Sequence, residues 1–449
     1  MFYIGGLVFM IKISVVCPHP GFHLDEVCEK VLGDLYGGNK ISIAPDAKLI
    51  PCQLQGTEDE WLVKGYLPLG QLGGNFDDKD PQTGQRKAGT CGAFEMARYL
   101  GVDTLPELQK LLKAVNRVDG SATANCSDLS SLVKNAVESF PEQMHPAIFR
   151  WAEVGVKAII GYLKSPNDKC DDFLSPVIFL EKMIADGDIA EERVQGRLRR
   201  MVRSSHTQIG NCLELSFIMR AMKVTGMSED DSSEWLFFAL AKCASQQLDY
   251  YAAIEEIKHN GRVFELNVFR DGHKLKGVLI HSDNLQITKA SRSQEFKYSV
   301  CIVRRSSGNV AITLNNYDNL DPRLLWALVR AQELPIELRR DVDFGEASKP
   351  GNHVVPNWYV MENGTILNGS NFIKAQPTRI SDNTLINLVR DAFGEAGNRL
   401  YSHMTGMPVI REVRKPVNLP EFLQTTASVD LNFVDRRSIE NSFDAGLRA

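Results

Sequence analysis

The chain has 449 residues, 43% of them apolar and 24% charged, an ordinary globular composition with room for two or three separate cores. A formal net charge of -5 supplies no global basic field, so contact with nucleic acid or phosphate has to come from a local patch. Nine cysteines are scattered without a C-x-x-C pair, which argues against a disulfide framework or a zinc ribbon and points to a reducing compartment, the cytoplasm.

Residues 1–10 (MFYIGGLVFM) are apolar but too short for a membrane span, and they lack the basic flank and small-residue cleavage site of a signal peptide. Met10 is therefore an alternative start. The β-branched run IKISVV at 11–16 reads as a buried strand that delivers a loop, Cys17-Pro18-His19-Pro20-Gly21. Residues 24–36 then carry apolar side chains at helical spacing with acids in the first turn, giving strand, loop, helix. A strand at 41–43, a turn-rich stretch at 70–84 and helices at about 90–100 and 105–116 continue the alternation expected of a wound sheet.

From 127 to 257 the pattern is mostly helical, with helices expected near 127–139, 146–163, 173–185, 193–202, 214–224 and 234–257. From Arg262 the period shifts toward two, at 263–268, 277–280, 298–303 and 310–314, and Ser306-Ser307-Gly308-Asn309 suits a hairpin between the last pair. Trp358-Tyr359-Val360-Met361 precedes another tight turn at Glu362-Asn363-Gly364. The expected fold is α/β: an N-terminal wound sheet with helices over 1–140, a helical connector over 141–257, a smaller C-terminal α+β domain over 258–411, and an irregular tail over 412–449.

Three features carry chemistry. In His19-Pro20-Gly21-Phe22-His23-Leu24-Asp25-Glu26, two imidazoles and two carboxylates converge on a strand–helix junction. Such donors suit Mn²⁺, Fe²⁺ or Zn²⁺, which acidify water near neutral pH; the plainer reading has His19 ending the strand and Asp25 and Glu26 serving the helix N-terminus. Leu72-Gly73-Gly74-Asn75-Phe76-Asp77-Asp78-Lys79 places adjacent carboxylates after a glycine pair, fit either to bridge a second metal or to form an ordinary solvated loop. Asp119, in Val115-Asn116-Arg117-Val118-Asp119-Gly120-Ser121, either terminates its helix or points into the same cleft.

In this order the features resemble the motifs of the DHH phosphoesterase superfamily, and most closely its MYG branch of metal-dependent hydrolases. The opening motif of the type H-x-G-x-F-H-x-D-E is matched by His19, Gly21, Phe22, His23, Asp25 and Glu26, with one residue fewer between the first His and Phe. Gly73, Gly74, Phe76 and Asp77 match the glycine pair and the start of the Asp-His-His signature, and Ala88-Gly89-Thr90-Cys91-Gly92-Ala93 resembles the small-residue turn after it. The two signature histidines are replaced by Asp78 and Lys79, and the acid before the glycine pair by Gln71. A protonated lysine cannot ligate a cation and repels it. Arg117-Val118-Asp119-Gly120 resembles the later acidic motif, Gln247-Leu248-Asp249-Tyr250-Tyr251 the long-helix segment, and 358–371 the C-terminal strand and Gly-rich loop, so the likeness runs over about 11–392.

The resemblance implies a DHH-like N-terminal domain and a manganese-type hydrolase of phosphodiesters, a 3′–5′ exonuclease on RNA or short oligonucleotides. It implies His19, His23, Asp25, Asp77 and Asp119 as metal ligands and Asn368, Gly369, Ser370 and Asn371 as the substrate-binding loop, whose backbone amides would hold phosphate. Two other readings stay open. One is a degenerate relative that binds a nucleotide or a partner without hydrolysis, because of Gln71, Asp78 and Lys79. The other is a cysteine hydrolase built on Cys212 near His206, or on Cys91 at a helix start. Residues 193–203 (RVQGRLRRMVR) form the one local cationic run, either a solvated helix face or a track for phosphates.

Overall fold

The computed structural model describes residues 3–4, 7–8, 10–38, 40–79, 87, 89–121, 127–165, 172–207, 211–267, 274–318, 320–339, 342–352, 354–361, 364–369 and 375–394. The expected tail at 412–449 lies outside them. Among the described residues the chain is mixed α/β, with a parallel three-stranded sheet and a six-stranded mixed sheet. No helix among them is long and apolar enough to cross a membrane.

A short antiparallel ribbon, β1 (Tyr3–Ile4) with β2 (Leu7–Val8), precedes the first sheet. Its central strand is β3 (Ile11–Pro18). A register irregularity between Ile13 and Val15 interrupts the alternation of β3, so Ile13 and Val16 both enter the main core, while Val15 and Cys17 enter a small separate cluster. Helix α1 (Leu24–Tyr36) returns the chain to β4 (Ile41–Leu49), parallel to β3 on one side. Helix α2 (Glu58–Val63) then leads to β5 (Tyr66–Leu69), parallel to β3 on its other side. The chain thus leaves β3 in opposite directions, and the carboxyl ends of β3 and β5 flank a topological switch point, where open α/β sheets form their clefts. Residues 66–69 and 58–63 are too few for periodicity to reveal them, and neither element is evident from the sequence.

Helices α3 (Gly92–Leu100) and α4 (Pro106–Ser121) pack next. The expected helix at 105–116 runs on to Ser121, so Asp119 and Gly120 lie in its last turn. Gly120 weakens that turn by about 1 kcal/mol relative to alanine without stopping it. Helices α5 (Leu129–Ser139), α6 (His145–Lys164), α7 (Pro176–Ala185), α8 (Glu192–Thr207), α9 (Leu215–Val224) and α10 (Glu229–Asn260) follow. One apolar cluster runs from Ile13 through Ala244. The helices expected as a connector therefore share a core with the first sheet.

Helix α10 has 32 residues, about 48 Å at 1.5 Å per residue. Ser228 caps it by accepting a hydrogen bond from Asp231 N at 3.1 Å, and acids fill its first turn. Its middle, through Ala244, belongs to the first core, and Tyr250, Ala253, Ile254 and Ile257 pack on the second sheet. That sheet contains β6 (Arg262–Asn267), β7 (Lys274–His281), β8 (Val300–Arg304), β9 (Val310–Leu314), β10 (Trp358–Val360) and β11 (Ile366–Asn368) in the order β10-β11-β9-β8-β7-β6. Only the β7–β8 pair is parallel, with α11 (Ile287–Ser291) in the connection. The β8–β9 hairpin turns where expected, with Gly308 at φ 84° and Arg305 N donating to Asn309 O at 2.8 Å. Helices α12 (Arg323–Glu333) and α14 (Asp382–Phe393) cover one face, and the short α13 (Phe344–Ala347) abuts α12.

Candidate metal centre

The end of β3 and the start of α1 bring the first motif together as a tight turn. His23, extended at φ -114°, is the N-cap of α1, and its N–H donates to Glu26 Oε2 at 2.7 Å. His19 Nδ1 contacts the other Glu26 oxygen, so one carboxylate fixes both the helix start and the first imidazole. The two rings stand edge to face with centroids 5.4 Å apart. Two donor sets result, His19 with His23 and Glu26, and His23 with Asp25 and Asp119; within each, the donor atoms lie within 4.8 Å of one another. His23 belongs to both.

Four of the five expected ligands are thus gathered, in two adjoining sets. Asp77 is not among them. Its Oδ2 accepts from Gly73 N at 2.8 Å and its Oδ1 from Lys79 N at 3.1 Å, so this buried carboxylate closes its own glycine turn. Glu26, expected only to serve the helix N-terminus, does so and also joins a donor set. Asp119 reaches His23 and Asp25 from the last turn of α4 rather than from beyond its end.

Gln71 is not a weakened ligand in this structure. Its Oε1 accepts from Leu54 N at 2.9 Å, and its Nε2 donates to the carbonyls of Cys17 at 2.8 Å and Cys52 at 3.2 Å. A carboxamide is needed for both roles, and it ties the segment after β5 to the end of β3 and to the segment after β4. Glu58, at the start of α2, accepts from Asn75 Nδ2 at 2.7 Å and from Phe76 N at 3.1 Å, and a Cβ on Gly74 would collide with it. The glycine pair is therefore required locally whatever the loop binds.

Burial sets the electrostatics. It pushes His19 down to about 4 and His23 down to about 3, so both imidazoles are neutral at pH 7; Lys79 adds to both shifts, and Lys134 to that of His23. Burial and the neighbouring Glu26 hold Asp25 well above the usual carboxylate range, and burial lifts Glu26 to about 7. Glu29, one turn further along α1, is fully buried, and neither of its carboxyl oxygens has a hydrogen-bond partner among the described residues. The sequence signal for Glu29 is its i+4 position relative to Asp25, which puts both carboxyls on one helix face. Burial opposes the charge on Lys79, yet Asp77, Asp78, Glu26 and Asp25 hold its ammonium above the usual lysine value.

The donors fit a divalent cation. Neutral imidazole nitrogens and carboxylate oxygens are the right chemistry, and Asp25 Oδ1 is buried with no hydrogen-bond partner among the described residues. Such an ion would replace the protons that burial keeps on the acids.

The other expected features resolve differently. Asn368 is fully buried at the end of β11; its Nδ2 donates to Asn357 O and Gln376 O, both at 3.1 Å, and its Oδ1 accepts from Thr378 N at 2.8 Å. Gly369 N donates to Asn357 O at 3.2 Å. Both residues of that expected substrate loop are engaged within the fold, while Ser370 and Asn371 lie outside the described residues. Cys91 and Cys212 are fully buried, and burial raises both thiols, Cys212 to about 12, away from an activated nucleophile. The His206 side chain lies outside the described residues. On α8, Arg199 forms a salt bridge with Glu181 at 2.8 Å, Arg193 hydrogen-bonds Glu191 at 3.0 Å, and Arg197 stacks on Tyr250 at 4.5 Å. These guanidinium groups face carboxylates and rings of the same chain, as a solvated helix face does.

No known protein family matches the chain, and no curated protein matches it. Among solved structures it is similar to an uncharacterized protein from Helicobacter pylori G27, with a TM-score of 0.22 and 10% identity over 85% of this chain and 99% of that one.

Proposed function

We propose that the chain is a divalent-metal-dependent phosphodiester hydrolase of DHH type, with manganese as its ion and the ends of RNA or short oligonucleotides as its substrate. The carrying observation is the pair of donor sets sharing His23 at the carboxyl ends of parallel strands. A divalent ion, when bound, supplies Lewis acidity and lowers the pKa of water at the scissile phosphate. Glu26 orients His19 and fixes the start of α1, so the first donor set is held rigidly. His23 and Asp25 flank Leu24 on the first turn of α1, and Asp119 approaches from α4, so the second set depends on the packing of α1 and α4 in one core.

The test is metal analysis of the purified protein together with Mn²⁺-dependent cleavage of a labelled short RNA by wild type and Asp25→Ala. Bound metal with cleavage lost in Asp25→Ala supports the proposal; no metal and no cleavage refutes it. A second reading, a relative that binds nucleotide or a partner without hydrolysis, is favoured by one observation. Lys79, in place of a signature histidine, sets an ammonium among the acids where a second cation would need to approach.

A further inference from the structure

Two thiols meet at the edge of the candidate metal centre. Cys17 is the penultimate residue of β3, two residues before His19, and Cys52 lies in the segment 50–57, which is neither helix nor strand. Ile50 N donates to Val16 O at 2.9 Å and Cys52 N to Pro18 O at 3.0 Å, so the parallel pairing of β3 with β4 runs on past Leu49. In a parallel ladder this pattern sets Pro18 opposite Pro51, and Cys17 and Cys52, one residue to either side of that pair, project from the same face of the sheet. Both belong to the small cluster around Val15 and Leu54, and their thiols hydrogen-bond each other.

Gln71 fixes this meeting from a third segment. Its Nε2 donates to the carbonyls of both cysteines, at 2.8 Å to Cys17 and 3.2 Å to Cys52, while its Oε1 accepts from Leu54 N at 2.9 Å. The backbone on either side of the thiol contact is therefore clamped in place. The two sulfurs differ in access: Cys17 is 0% exposed, whereas Cys52 is half-buried. Burial, with Cys52 beside it, pushes the Cys17 thiol up to about 12, so Cys52 is the sulfur that meets a solute.

We propose that Cys17 and Cys52 form a redox-active dithiol, a site of reversible modification in which hydrogen peroxide oxidises Cys52 and Cys17 resolves it to a disulfide. The Cys52 sulfur attacks a peroxide oxygen; an S–O bond forms, the O–O bond breaks, and the departing hydroxide takes the Cys52 proton and leaves as water. The Cys17 sulfur then attacks the Cys52 sulfur; the S–S bond forms, the S–O bond breaks, and the hydroxide released there takes the Cys17 proton as a second water. Two electrons pass from the sulfurs to one peroxide, and a small dithiol returns both thiols by exchange. The pair needs neither a bound metal nor hydrolysis to react.

The test treats the folded, reduced full chain with a small excess of hydrogen peroxide, alkylates the remaining thiols in urea, and maps the peptides by mass spectrometry without reduction. The expected result is a peptide linked through Cys17 and Cys52, lost on treatment with dithiothreitol, while Cys243 and Cys301, at 1% and 2% exposure, are recovered alkylated. Cys17→Ser is expected to stop at the Cys52 sulfenic acid, trapped by dimedone. Cys52→Ser changes a half-buried side chain and keeps the test decisive if Cys17→Ser fails to fold; it is expected to abolish the link and leave Cys17 alkylatable. Recovery of both cysteines as thiols, passage of Cys52 to sulfinic acid without a link, or a link that forms only when peroxide is added to the urea-unfolded chain overturns the dithiol.

Discussion

Gly92, the first residue of α3, lies against Glu29 of α1 so closely that a Cβ at position 92 would overlap Glu29 Oε1 and stand 3.4 Å from Asp25 Oδ2. Glu29 is enclosed by protein and cannot swing into solvent. Gly92→Ala is expected to lower stability by about 1–3 kcal/mol in urea unfolding, the usual effect of overpacking. Gly196→Ala, on a part of α8 with open space around the glycine, is the control and should be neutral or stabilising by about 0.4–1 kcal/mol.

The metal-free protein should lose stability as the pH rises above about 6.5. Burial holds Asp25 and Glu29 well above the usual carboxylate range and lifts Glu26 to about 7. In this window the unfolded chain has already lost those protons while the folded chain retains them, so each rise in pH favours unfolding. The decline is at most about 1.4 kcal/mol per pH unit for each carboxyl still protonated. His19 and His23, which burial lowers to about 4 and 3, act in the opposite sense only below about 6.5. Urea unfolding in EDTA between about pH 6.5 and 8 measures the slope, and Glu29→Gln should reduce it; a flat profile in wild type would contradict the buried-acid account.

Asp77 and Asp25 should separate cleanly. Asp77→Asn weakens one of the two backbone contacts that close the glycine turn, at about 1–2 kcal/mol of stability, but should change Mn²⁺ affinity little. Asp25→Ala should abolish most Mn²⁺ binding, as titration calorimetry would show. Lys79→His, which removes the ammonium among the acids and supplies an imidazole, should tighten Mn²⁺ binding about tenfold or more.

Gln71→Glu tests a residue that family likeness alone would misassign. A carboxylate cannot donate to the Cys17 and Cys52 carbonyls and would face both at the distance of the present hydrogen bonds. The substitution should destabilise by about 2–3 kcal/mol and leave metal binding no stronger; increased Mn²⁺ affinity at unchanged stability would assign the position to the centre instead.

Asn368→Ala should act on the second sheet rather than on phosphate. It removes the side chain that holds Asn357, Gln376 and Thr378 together, at about 2–4 kcal/mol for several buried hydrogen bonds. Affinity for a short RNA, measured where the protein remains folded, should not change.

The sequence by itself determined the elements whose side-chain pattern is long enough to read. These include the β-branched strand into His19, the helix with Asp25 and Glu26 in its first turn, the long helix through Tyr250, and the hairpin at Gly308. It also determined that His19, His23 and Asp25 share a junction, because they are neighbours along the chain. What the sequence could not determine was which distant groups face one another. Only the packing of α4 beside α1 brings Asp119 to His23, and only the turn at Gly73 shows that Asp77 is occupied by backbone amides. Glu29 is an ordinary acid in the sequence; α3 packing over it makes it a buried carboxyl. Residues 141–257 read as a link, yet the helices up to Ala244 share a core with the first sheet, and only the end of α10, from Tyr250 to Ile257, packs on the second. The reason is physical: local pattern reports what one helix or strand prefers, whereas burial, charge and hydrogen-bond satisfaction belong to the groups that packing brings together.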